Sequence, residues 1–232
     1  LLGAAAMQAV PRSAPGKRSL SALTWAAHVR TEGFPLLRHN VFFDNDYASE
    51  FDDVFQQRRL PRQGTVYVCA QDRNDSASLP AGHGAEERLL CLVNAPADGD
   101  HFDPSETDPC EHRSLALLRQ CGLTLQWQPT QCQRSTPQDF NRLFPATGGA
   151  LYGPATHGWM SSFSRPKAAS AVPGLYLAGG SVHPGPGVPM AAMSGRLAAA
   201  TLLAHLDSTS RSRRVHISGG MSTRSATAAP TA

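Results

Sequence analysis

Between Ser19 and Arg30 apolar and polar positions alternate closely enough to predict a strand. Val41-Phe42-Phe43 is a short apolar run ended by Asp44-Asn45-Asp46, and Thr65 to Ala70 is β-branched and aromatic, the strongest strand pattern in the first half. Leu89 to Val93 makes another strand, closed by the Asp98-Gly99 turn. With loops between these runs and little helix, the pattern predicts a mostly antiparallel sheet over residues 19–95. Ahead of it, residues 1–18 read as a short Ala-rich helix running into Pro11 and a Pro15-Gly16 turn.

The next elements carry their own start and stop signals. Asp108 is placed as an N-cap with Pro109 at the first helical position and Glu111 behind it. Gly122 lies just past the apolar face of Leu115, Leu117, Leu118 and Cys121, so a helix is expected over 109–121. Leu123 to Trp127 follows as a strand, and Thr136-Pro137-Gln138-Asp139 repeats the capping logic for a short helix that must stop before Pro145. This helix-strand-helix run is expected to edge the sheet.

From Gly148 onward Gly, Pro and small residues become dense, which favours tight turns and close backbone approach over bulk packing. Leu175 to Ala178 is short and wholly apolar, as a central parallel strand would be, and Gly179-Gly180 stands at its carboxyl end. The loop from His183 to Gly187 alternates Pro and Gly. Pro189 then opens a final helix whose first N–H groups, around Val188, Met190 and Ala191, are expected unpaired. Such a helix start favours partial negative charge, and a stripe of Ala192, Gly195 and Ala199 would let the helix lie close to a sheet or ligand. Gly185 to Met190 alone is no dinucleotide fingerprint, since it lacks the third glycine and precedes no βαβ unit.

Charge changes the picture little. The net charge of +3 resides after residue 206, where Arg211, Arg213, Arg214 and Arg224 face a single Asp207, while the rest of the chain holds 17 basic and 17 acidic residues. A balanced body argues against a nucleic-acid footprint. Five cysteines with no CxxC pair point to reduced thiols in a cytosolic compartment, and Cys110 with His112 has nothing near to complete a metal tetrahedron, so no metal is expected. The longest apolar stretches, Leu1 to Val10 and Leu197 to Leu206, are about half of the roughly 20 residues a spanning helix needs. No initiator Met and no charged leader precede Leu1, which is the pattern of an interior piece of a longer chain.

The segment Leu175 to Arg196, with Gly179-Gly180-Ser181-Val182-His183-Pro184-Gly185-Pro186-Gly187-Val188-Pro189-Met190 at its centre, resembles the carboxyl-terminal flavin signature of the bacterial phytoene-desaturase-type carotenoid dehydrogenases. Within them it is most similar to the methoxyneurosporene dehydrogenase branch, the 1-hydroxycarotenoid 3,4-desaturases. The likeness extends through Ser21 to Thr24, Gly33-Phe34-Pro35, His39 to Phe43, Thr65 to Asp72, Val93 to Asp100 and Gly148 to Met160.

The resemblance implies an α/β (α+β) fold in which part of an FAD-binding, Rossmann-like domain is interleaved with an antiparallel-sheet substrate domain. Residues 1–147 would be mainly substrate domain, 148–206 the returning part of the FAD-binding domain, and 207–232 a disordered tail. The N-terminal Gly-x-Gly-x-x-Gly turn that binds the ADP half of FAD in this family is absent from the sequence, so the N-terminal portion of the same enzyme is an implied partner. Gly179, Gly180 and Ser181 would approach the pyrophosphate and ribityl chain, and Gly187, Val188, Pro189 and Met190 the isoalloxazine. His183 is read as holding the loop, and His157, Trp159 and Met160 are candidates for substrate contact. Phe42, Phe43 or Tyr67, if they face inward, would line a tunnel for a polyene. The implied reaction is C3–C4 dehydrogenation of an acyclic hydroxy- or methoxycarotenoid, with hydride passing to flavin, in a cytoplasmic enzyme attached peripherally to the membrane. Two rivals stay open: another polyene dehydrogenase of the same kind, and an inactive fragment or carotenoid-binding module.

Overall fold

In the computed structural model, which describes residues 3, 6–10, 14–74, 86–155 and 165–214, the alternating run after Ser19 forms β1 (Ser21–Val29) inside a five-stranded sheet. Its neighbours are β5 (Glu87–Ala95) on one side and β7 (Cys132–Ser135) on the other. β4 (Val66–Ala70) and β3 (His39–Phe42) continue the sheet beyond β5, giving the order β3-β4-β5-β1-β7. Every pairing is antiparallel, as the pattern predicts. The register sets Ser21 opposite Ala95 and Val29 opposite Glu87. Leu23, Trp25, Ala27 and Val29 therefore share a buried face with Val66, Val68, Leu89, Cys91 and Val93.

Helix α3 (Thr107–Gln120) contributes Cys110, Leu115, Leu117 and Leu118 to that core. Each such buried side chain contributes about 1.5–3 kcal/mol relative to exposure. A two-stranded ribbon, β2 (Thr31–Gly33) with β6 (Leu123–Leu125), flanks the sheet. Beside it the buried Arg73 guanidinium donates to Glu87, Thr31 Oγ1 and the Leu36 carbonyl.

Several expectations need correction. Asp108 does not cap α3. The helix starts at Thr107 behind a 3₁₀ turn, Pro104–Glu106, whose own cap is Asp103, and Asp108 instead pairs with Arg134 at 2.6 Å. The region of little helix contains α2 (Tyr47–Phe51), capped by Asp46 and continued by a π turn, Asp52–Gln56. Leu175 to Ala178 is not a central parallel strand. It folds back so that Tyr176 bridges Ala169 antiparallel and the Leu177 N–H donates to Ala168 O at 2.7 Å. With that hairpin taking its edge, no further strand pairs with it among the described residues. The short helix α4 (Pro137–Leu143) keeps its predicted Thr136–Asp139 capping box. The last helix, α5 (Val188–Arg214), runs past residue 206 into the stretch expected to be disordered. Residues 215–232 lie outside the described residues.

Candidate functional site

The glycine-rich segment is anchored where β1 begins. Residues 17–20 pair with residues 151–155: Ser19 N–H donates to Gly153 O at 2.9 Å, Leu151 N–H to Leu20 O at 2.9 Å and Ala155 N–H to Lys17 O at 2.8 Å. Arg18 clamps this ribbon to the end of β5, donating to both Asp100 oxygens at 2.8 and 3.0 Å and to Ala97 O at 3.1 Å. The hydrogen bond from Arg18 holds the Asp100 carboxyl below its ordinary range. Arg58 does the same for Asp98 across a 2.9 Å ion pair, tying the end of the α2 segment to the same place. Asp98, Asp100 and His101 lie close enough together to share a cation, yet the two aspartates are already committed to Arg58 and Arg18.

Above the ribbon sits the loop. Gly153 (φ +68°) has no room for a side chain, because a Cβ there would stand 2.8 Å from Ser181 Oγ. Gly179 N–H donates to the fully buried Ser194 Oγ at 3.0 Å, which fastens the loop to α5. Val182 N–H returns to Gly179 O at 3.1 Å, and His183 N–H donates to Pro166 O at 2.9 Å. The His183–Pro184 peptide is cis.

The seven residues expected to approach a cofactor, Gly179, Gly180, Ser181, Gly187, Val188, Pro189 and Met190, thus lie on one loop and the helix start that follows it. Ser181 and all four residues from Gly187 to Met190 are exposed. At Gly179 (φ +125°) and Gly187 (φ +101°) a Cβ would meet no atom within 4 Å, so the backbone there borders open space. The helix start departs from expectation in one respect: Ala191 N–H is paired, closing the first turn on Gly187 O at 2.8 Å. The stripe of small residues does not pack closely, since Ala192 and Ala199 are exposed and a Cβ on Gly195 would touch nothing within 4 Å. His157, Trp159 and Met160 fall outside the described residues. Of the proposed tunnel residues, Phe42 is buried and stacks edge-on with Phe34, whereas Phe43 is exposed.

Two residues that hold the loop went unread in the sequence. Ser194 is one. The other is Arg165, only 4% exposed, whose guanidinium donates to Gly180 O at 3.2 Å, Tyr152 O at 3.0 Å and Pro154 O at 3.1 Å. The available signal was that no Asp or Glu occurs between Asp139 and Asp207, so an arginine buried there has no acidic neighbour in sequence.

A second surface lies at the far edge of the sheet. Phe43, Tyr47, Phe51 and Phe55 form a continuous aromatic row, with successive ring centroids 5.5, 5.0 and 6.2 Å apart, and all four are exposed. No helix among the described residues is long and apolar enough to cross a membrane.

No protein-family model matches the chain. Individual relatives do. A hydroxyneurosporene desaturase from Rubrivivax gelatinosus is 73% identical over 229 residues, covering 98% of this chain and 43% of the relative. A hydroxyneurosporene desaturase from Cereibacter sphaeroides is 43% identical over 210 residues, covering 90% of this chain and 41% of its own length. A 1-hydroxycarotenoid 3,4-desaturase from a Flavobacterium species is 28% identical over 186 residues, covering 79% of this chain and 37% of its own. The chain therefore spans about two fifths of the length of the curated relatives it matches.

Proposed function

The chain belongs to the carotenoid desaturase family, and from that premise we propose that it supplies the returning, cofactor-facing part of an FAD-dependent enzyme. That enzyme introduces a C3–C4 double bond into an acyclic hydroxy- or methoxycarotenoid such as hydroxyneurosporene. The observation that carries the proposal is the 73% identity with a hydroxyneurosporene desaturase over 98% of the chain. Identity is 73%, 43% and 42% with three hydroxyneurosporene desaturases and 33% with a 4,4'-diapolycopene oxygenase from Methylomonas, which favours hydroxyneurosporene over a diapolycopene as substrate.

Open space above Gly179 and Gly187, an exposed helix start and a cationic group beneath the loop all fit a dinucleotide. Gly179, Gly180 and Ser181 would hold its diphosphate and ribityl chain, and Gly187 to Met190 would border its ring system in the returning part of a Rossmann-like domain. Dehydrogenation removes one hydrogen from C3 and one from C4, two electrons and two protons overall, and a bound flavin supplies the electron acceptor. The protein's share is to position the polyene, exclude water and polarise the ring system through the helix start. One hydrogen leaves as hydride and the other as a proton; because the developing positive charge spreads along the conjugated chain, a weak acceptor for that proton, such as a flavin nitrogen or water, would suffice and no strongly basic side chain is required. The exposed row from Phe43 to Phe55 supports peripheral contact with the membrane in which such a substrate dissolves.

The test is conversion. A version of the chain extended upstream to the length of its relatives, given FAD and hydroxyneurosporene in phosphatidylcholine vesicles, should lengthen the conjugation and move the carotenoid absorbance to longer wavelength. Turnover of a 4,4'-diapolycopene end group with hydroxyneurosporene left unchanged would overturn the assignment.

A further inference from the structure

Arg165 carries a charge that no carboxylate among the described residues balances. Its side chain is almost wholly buried and its acceptors are three neutral backbone carbonyls, on Gly180, Tyr152 and Pro154. No carboxylate forms an ion pair with it among the described residues, and the sequence from Phe140 to Leu206 contains no acidic residue at all while holding Arg142, Arg165, Lys167 and Arg196. Burial without a counter-ion pulls its pKa below the usual guanidinium range. Other buried cations in this molecule are treated differently: Arg73 has Glu87, and Arg18 has Asp100.

The place of this charge is specific. The guanidinium lies under the turn of the loop, bonded to Gly180, and a Cβ on Gly185 would stand 3.4 Å from Arg165 Nε. One cation therefore bonds one limb of the glycine loop and lies beside the other, and its remaining bonds reach the ribbon of residues 151–155 on which Ser181 rests. A buried unpaired charge is unfavourable, an effect that neutral carbonyls only partly offset and that an anion arriving at the loop would offset further.

We propose that Arg165 is both the positioning residue of the glycine loop and the electrostatic contact for the diphosphate of the dinucleotide that the loop holds. This rests on the flavin dinucleotide reading above. The guanidinium fixes the carbonyls of Gly180, Tyr152 and Pro154 inward, which leaves the loop's open face to the ligand, and its unbalanced positive charge selects a ligand carrying phosphate.

The test compares FAD with riboflavin, which has the same ring system and no phosphate, on the upstream-extended chain and its Arg165→Gln and Arg165→Lys variants. Affinity is read from flavin fluorescence at low and high salt, and the thermal midpoint of the cofactor-free protein is recorded alongside. Arg165→Gln should weaken FAD roughly tenfold or more at low salt and flatten the salt dependence while changing riboflavin affinity less than about twofold. Arg165→Lys, which keeps the charge and loses the fork, should lower the thermal midpoint yet retain salt-dependent FAD binding. If Arg165→Gln does not fold, the lysine variant alone decides. Loss of salt dependence there, or equal weakening of FAD and riboflavin in either variant, makes Arg165 a loop brace and overturns the diphosphate contact. A parent protein that binds neither flavin overturns the flavin reading itself, so the two failures are distinguishable.

Discussion

A methyl group added at Gly153 has no free space, because the residue is in the left-handed region at φ +68° and the new Cβ would stand 2.8 Å from Ser181 Oγ and 3.1 Å from Ser181 Cα. Gly153→Ala should destabilise the fold by about 1–3 kcal/mol and displace Ser181, read as a lowered thermal midpoint together with weaker FAD binding by the extended chain. An unchanged midpoint would show that the loop does not rest on Gly153. Asp53 offers a pH test. Its side chain is fully buried, and burial alone would raise its pKa. The Arg62 backbone N–H and the side chains of Arg59 and Arg62 outweigh that and bring it down to about 2. A carboxylate whose folded pKa lies below its unfolded value stabilises fully above the unfolded value and loses that contribution as the pH falls through the folded one. The expected window therefore runs from about pH 4 down to about pH 2. Urea midpoints should fall over that range in the parent protein and less steeply in Asp53→Asn, which should be weaker at pH 7 by about 1.5–3 kcal/mol.

Capping and edge exposure govern the elements. Thr136 and Asp139 each accept the other's backbone N–H at the start of α4, and Thr136→Ala should cost about 1 kcal/mol by urea unfolding, with activity of the extended chain intact. That box was legible because four adjacent residues hold all its chemistry. β1 and β4 were legible too, since a strand with one face in the core imprints a period of two on its sequence. β7 left no such imprint: Cys132-Gln133-Arg134-Ser135 is half-exposed at the sheet edge and exists by pairing with the distant β1. Across α2 and the π turn that continues it, the aromatic residues at four-residue spacing, Tyr47, Phe51 and Phe55, mark a helical face, but they are exposed, so no core pattern accompanies them. The glycine loop could be read from its backbone demands, whereas Arg165 could not, because the carbonyls that hold it come from separate parts of the chain. The aromatic row makes its own prediction. Phe43→Ser with Phe51→Ser should leave stability within about 1 kcal/mol and sharply reduce co-sedimentation with phosphatidylcholine vesicles. Unchanged sedimentation would remove the row from membrane contact.

Across the whole molecule, the sheet and α3 form a closed core while α5 stands largely uncovered. Val188, Met193, Leu203 and Leu206 are 85%, 47%, 61% and 57% exposed on a helix whose one fully buried described side chain is Ser194. Apolar exposure on that scale fits a chain spanning about two fifths of its relatives, in which the remaining length is available to cover α5. The 232-residue chain alone should accordingly bind more of a hydrophobic dye per mole than the upstream-extended form. In the proposed flavin dinucleotide site the loop from Gly179 to Met190 forms one wall. The most direct measurement is the flavin absorbance of the purified extended chain after incubation with FAD and removal of unbound ligand, run beside the 232-residue chain. Close to one flavin per extended chain and little on the shorter one are expected. An extended chain that takes up no flavin would contradict the proposed site.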